Sequence, residues 1–126
     1  MSATRLATFV TLGARVAYGA VMLAAPQRIG RRWLGSPADE PGGRVALRAV
    51  GGREVAIHGF AVFSLLGGTP VWPWLVASLA GDVTDVASTV ASGDGLPEGA
   101  VRAAVATGGG SALLTAALIV LLARDD

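Results

Sequence analysis

The chain has 126 residues, of which 52% are hydrophobic and 15% charged, where a soluble domain usually carries about 25% charged residues. A formal charge of +1 excludes the electrostatic footprint of a nucleic-acid binder. The absence of Cys excludes disulfides, thiolate metal sites and thiol catalysis, and the absence of Lys excludes Schiff-base chemistry on a lysine.

Glycine accounts for 18 residues, well above the usual share of about 7%. High Gly with low charge fits closely packed membrane helices. Four apolar stretches follow one another, at about 6–25, 44–66, 71–92 and 100–123. Each holds roughly 20 residues, enough to cross a ~30 Å hydrocarbon core. The expectation is an all-α fold, an integral membrane four-helix bundle forming a single domain over 1–126. A soluble helical bundle would need polar outer faces, and the fourth stretch carries no charge between Ala103 and Ala123.

The first stretch opens with Arg5 and ends at Ala24-Ala25-Pro26. A cleaved signal peptide has a similar outline, but Arg15 would sit in its apolar centre and Pro26 would follow the cut. Residues 26–43 then form a basic connection. Within it, Ile29, Trp33 and Leu34 could dip into a leaflet while Arg28, Arg31 and Arg32 meet lipid phosphates. A plain stop-transfer flank is the alternative. Gly67-Gly68-Thr69-Pro70 joins the second and third stretches as an antiparallel hairpin, with Thr69 as N-cap and Pro70 as the first helical residue. Gly93 to Glu98 joins the third and fourth, with Pro97 and Glu98 suited to a first helical turn.

The first and third connections share a side, which carries Arg28, Arg31, Arg32, Arg44 and Arg102. The other side carries Arg5 and Arg124. The positive-inside rule places the chain in the cell membrane as a multi-pass protein, with both termini outside and the basic loop 26–43 cytoplasmic. Trp72 and Trp74 then belong near the outer interface.

Seven ionisable residues fall inside the apolar stretches: Arg15, Arg48, Arg53, Glu54, His58, Asp82 and Asp85. Each is costly in hydrocarbon, at roughly 2.5–3.5 kcal/mol for a central Arg or Asp. They should therefore face a common interior. On a helical wheel Arg44, Arg48, Gly51, Glu54 and His58 share an arc of about 120°. Trp74, Ser78, Gly81, Asp82, Asp85, Ser88, Thr89 and Ser92 share one on the third stretch, and Thr8, Thr11, Arg15, Tyr18 and Met22 on the first. The fourth stretch shows a small-residue ridge, Ala100, Ala104, Gly108, Ala112 and Ala116, suited to close packing. Gly108-Gly109-Gly110 as a phosphate cradle is a weaker reading, because the run lies in an apolar span.

By depth, Arg15 should neutralise Glu54 or Asp82, and Arg48 should pair with Asp85. Arg53 points away from Arg48, so it closes a second polar contact with another helix or sits at a subunit interface. Glu54, Asp82, Asp85 and His58 are the acid–base candidates. Arg15, Tyr18, Arg48, Arg53, Trp74 and Ser78 are the ligand-binding candidates. The Asp82-x-x-Asp85 pair with Glu54 and His58 has the donors for a divalent cation, but the adjacent Arg residues disfavour one. The expectation is no metal and no cofactor.

Three readings stay open. One is a site for a small lipophilic molecule, bound or converted by carboxylate acid–base chemistry in a dry pocket. Another is a small proton-coupled transporter acting as a homo-oligomer. The third is a structural subunit whose ion pairs only fix helix register.

The segments Gly13-Ala14-Arg15-Val16-Ala17-Tyr18-Gly19, Ala25-Pro26, Trp33-Leu34-Gly35, Arg48-Ala49-Val50-Gly51-Gly52-Arg53-Glu54 and Gly81-Asp82-x-x-Asp85 resemble short four-span membrane proteins of bacteria and fungi. These are grouped as a domain of unknown function and are loosely similar to DoxX-like proteins. The resemblance implies a four-helix integral membrane fold and supplies no activity.

Overall fold

A computed structural model describes residues 1–125. They form five α-helices and two short 3₁₀ turns, with no strand among the described residues. The helices are α1 (Ala3–Ala24), α2 (Pro26–Leu34), α3 (Pro41–Gly67), α4 (Trp72–Ala91) and α5 (Ala100–Asp125). The 3₁₀ turns lie at Ser36–Asp39 and Gly93–Gly95. Three helices, α1, α3 and α5, are long and apolar enough to cross a membrane. Helix α4 is long enough at 20 residues, but Asp82 and Asp85 lower its apolarity.

The starts and stops follow local chemistry. The Ser2 hydroxyl accepts from the Arg5 N–H at 3.2 Å and caps α1. Pro26, which has no N–H to continue a helix, breaks α1 from α2 and serves as the first residue of α2. Gly68 ends α3 in the left-handed conformation (φ 68°) that suits Gly at this position. The expected N-cap at Thr69 is not formed. Its backbone N–H turns back to the Ser64 carbonyl, and α4 starts later, at Trp72, with Pro73 in its first turn. Pro97 and Glu98 likewise stand before α5 rather than in it.

The basic connection is more ordered than a loop. Helix α2 lays Ile29, Trp33 and Leu34 against a cluster of Met22, Ala38 and Leu47. Gly30 is the point of closest approach, since a Cβ there would meet the side chains of Leu47 and Ala38.

Neighbouring long helices run antiparallel. Arg5 at the start of α1 donates to the Leu65 carbonyl near the end of α3. Arg48 near the start of α3 donates to the Leu23 carbonyl near the end of α1, at 3.2 Å. The two cross at Gly19 and Gly51, where an added Cβ on either would lie 2.7–2.8 Å from backbone or Cβ atoms of the other helix. Helix α5 packs along α4, with Gly108 against Val86. Two apolar clusters fill the ends of this arrangement. One holds Leu12, Ala61, Leu65, Val71, Leu75 and Leu118, and the other holds Met22, Ala38 and Leu47. The polar residues of α1, α3 and α4 lie between them.

Candidate functional site: a polar floor beneath an apolar cavity

Arg15 stands halfway along α1 and reaches two other helices. Its Nε donates to Glu54 Oε2 of α3 at 2.8 Å. Its Nη2 and Nη1 donate to Asp82 Oδ1 and Oδ2 of α4 at 2.7 and 3.1 Å. Nη1 also donates to the Ser111 hydroxyl of α5. One guanidinium thus ties four helices together. Its planar fork suits this task, because it presents several donors in fixed directions. Glu54 and Asp82 are buried, with side chains only 4% and 6% exposed. Carboxylates so far from water are tolerated only when paired and hydrogen-bonded.

A second fork lies beside the first. Arg53 Nη2 and Nη1 donate to Asp85 Oδ2 and Oδ1 at 2.5 and 3.2 Å, and Nη2 lies 3.6 Å from Glu54 Oε1. Gly81 of α4 packs beside this guanidinium, where a Cβ would stand in ordinary contact at 3.4 Å from Arg53 Cζ. This corrects the expected pairing. Arg53, not Arg48, meets Asp85, and Arg48 lies exposed at the α1–α3 edge. The physical reason is geometric. Arg48 and Arg53 flank Glu54 on opposite sides of α3, roughly 120° and 100° away. Only the packing decides that α4 lies on the Arg53 side. Arg15 likewise takes both expected carboxylates instead of one.

Two guanidiniums face three carboxylates. His58, one turn along α3, lies with Nδ1 3.5 Å from Glu54 Oε2. Its closer contacts are Nδ1 to the Glu54 backbone oxygen at 2.7 Å and Nε2 to the Ser78 hydroxyl at 2.8 Å. A carbonyl only accepts, so Nδ1 carries the proton and, in the neutral ring, Ser78 donates to Nε2. Ser78, His58 and Glu54 therefore fall in the order of a hydrolase triad. The bond from Nδ1 goes to the main chain, however, and Ser78 is 3% exposed and does not line the cavity described next. A hydrogen-bonded interior histidine accounts for the geometry.

Above the first fork is a cavity of about 510 Å³. Its floor is Arg15, Glu54, Asp82 and Ser111, with Asp85 and Tyr18 at the side. Its walls are mostly apolar, including Val50, Val86, Ala103 and Ala104. Helix α2 forms one side through Arg28, Ile29, Arg32 and Trp33. The Trp33 indole N–H donates to the Thr89 hydroxyl at 2.9 Å, and that hydroxyl donates to the Asp85 backbone carbonyl at 2.6 Å. Trp33 is thus held against α4 rather than free in a leaflet.

Of the ten candidate residues, Arg15, Tyr18, Glu54, Asp82 and Asp85 line the cavity. Arg53, His58 and Ser78 support it from behind. Arg48 and Trp74 belong elsewhere: Trp74 donates to the Ser64 hydroxyl at 3.0 Å and stacks on Phe60 with ring centres 5.2 Å apart. No group of three His, Asp or Glu side chains among the described residues is placed to hold a metal ion. The missed contributors are Ser111 and helix α2. The hydroxyls Thr107, Ser111 and Thr115 recur every four residues, and that stripe signals an inward polar face on α5. Arg28 and Arg32 show the same spacing. The chain matches no protein-family model, no curated protein and no solved structure.

Proposed function

We propose that this chain is an integral membrane protein whose four long helices form a membrane bundle around a binding site for a small lipophilic molecule. The observation that carries the reading is the cavity. It is walled by apolar side chains and floored by a buried guanidinium–carboxylate network at mid-height of the helices. Pockets of roughly 300–1,000 Å³ with few convergent polar groups are the usual form of small-molecule sites. The outer faces support membrane insertion. Phe60, Phe63, Leu113, Val10 and Val120 are half or more exposed, an apolar surface that fits lipid better than water. Kinship with DoxX-like four-span proteins is part of the proposal. It rests on Arg15, Arg53, Glu54, Asp82 and Asp85 converging on one network.

Proton transfer to or from the bound molecule falls to Glu54 in this reading. Asp82 and Asp85 each have both oxygens on one guanidinium, whereas Glu54 gives one oxygen to Arg15 and keeps the other 3.6 Å from Arg53.

Native mass spectrometry of the chain released from a mild detergent tests the reading. The wild type should carry a small-molecule adduct, and Ala104→Phe, which fills the cavity, should lose it. Bare protein from several membrane sources would reduce the network to a structural role.

A further inference from the structure

The rim of the cavity carries a charge pattern that its floor does not. On the floor, Arg15 spends its donors on Glu54, Asp82 and Ser111. It has no fork left for an anionic ligand. On α2, Arg31 is held by Asp39, with Nη2 2.9 Å from Oδ1. Arg28 and Arg32 differ from it. Both line the cavity, and among the described residues neither has a carboxylate within 4 Å. They lie at i and i+4, so they project from one face of α2, side by side. Two neighbouring free guanidiniums offer bidentate, charge-assisted hydrogen bonds of the kind that recognise phosphate. Directly below them the walls turn apolar, with Ile29, Trp33, Ala103 and Val86.

We infer that the ligand is an anionic amphiphile, a phosphate ester whose head sits between Arg28 and Arg32 and whose apolar body fills the cavity toward Ser111. The inference rests on the cavity being a binding site. A volume of about 510 Å³ accommodates one slim apolar body, so a single-chain phosphate is a suitable probe. The head could belong to a membrane lipid or to a soluble phosphorylated compound, since the rim recognises the phosphate itself.

The test uses the full chain in a non-ionic detergent. Lysophosphatidic acid is titrated against the monoacylglycerol of the same chain length, which has the same body and no phosphate. Lysophosphatidic acid should bind at least about tenfold more tightly, as expected for charge-assisted contacts of this kind. The double variant Arg28→Gln/Arg32→Gln should erase that preference, while Arg31→Gln keeps it. Displacement of lysophosphatidic acid by glycerol 3-phosphate, the same head without the acyl body, at comparable concentration would assign the site to a soluble phosphate compound, and no displacement at that concentration would assign it to a lipid. Equal affinity for the two amphiphiles, or an equal loss in Arg31→Gln, would overturn the phosphate assignment and leave the cavity reading intact. Binding of both amphiphiles unchanged by Ala104→Phe would instead remove the cavity itself as the site.

Discussion

Arg15 is bonded to three other long helices, so its loss should be felt more than the loss of any single partner. Arg15→Gln leaves both Glu54 and Asp82 without their close guanidinium. Asp82→Asn leaves Arg15 with Glu54 still in place. Breaking a buried pair typically costs about 3–5 kcal/mol, because one charge stays buried and unpaired. Melting in detergent should therefore rank Arg15→Gln below Asp82→Asn, and both well below wild type. Arg48→Gln should melt close to wild type, since Arg48 is exposed and gives one hydrogen bond to a main-chain carbonyl. The double variant Arg15→Gln/Asp82→Asn should recover only part of the loss, because Glu54 remains. A melt in which Arg48→Gln falls as far as Arg15→Gln would contradict the network drawn here. The residue types of this site were legible in the sequence through their cost in an apolar helix. Depth along the helices gave Glu54 and Asp82 as the partners of Arg15. The partner of Asp85 was not legible, because Arg48 and Arg53 lie on opposite sides of Glu54 and only packing decides which of them meets α4.

At the scale of helices, small residues set the distances of approach. Gly19 and Gly51 bring α1 and α3 so close that an added Cβ would strike backbone oxygen at 2.7–2.8 Å. Backbone cannot swing aside as a side-chain end can. Gly108 faces a softer neighbour, the Val86 Cγ2 at 2.7 Å, and Gly110 faces open space. Overpacking a tight contact costs typically about 1–3 kcal/mol. Thermal stability should thus fall in the order Gly110→Leu, Gly108→Leu, Gly51→Leu, with Gly110→Leu nearly unchanged. Equal melting of all three would mean that these contacts do not set the packing. The ridge through Gly108 was readable from its spacing of four. The tighter crossing at Gly19 and Gly51 was not, since each glycine alone carries no sign of its partner. Helix α2 was read as a connection with an apolar edge. Its docking depends on Leu47 of α3 and Thr89 of α4, residues distant in the chain.

Over the whole molecule, the ends sort cleanly. The Ser2 hydroxyl donates to the Asp125 carboxylate at 3.0 Å, which puts the starts of α1 and the end of α5 together. At the other end Gly35 lies beside Pro97, joining the first and third connections. In the orientation that the positive-inside rule predicts, Ser36 would face the cytoplasm and Asp125 the outside. The chain has no Cys, so single cysteines report cleanly. In intact cells, a membrane-impermeant maleimide should label Asp125→Cys and spare Ser36→Cys until the membrane is opened. Labelling of both before lysis would refute the proposed sidedness and the positive-inside argument behind it.

Composition and periodicity alone determined that the chain is helical, where its long apolar segments lie, and that Arg15, Glu54, Asp82 and Asp85 point inward. These properties are local, because the cost of a charge and the period of a helix depend only on near neighbours. The choice of Arg53 over Arg48, the bridging of two carboxylates by Arg15, and the placing of Arg28 and Arg32 over a cavity were decided by the tertiary structure. Each depends on which helix face meets which neighbour, since Arg48 and Arg53 lie about 140° apart around α3 and only its rotation in the packed molecule selects between them.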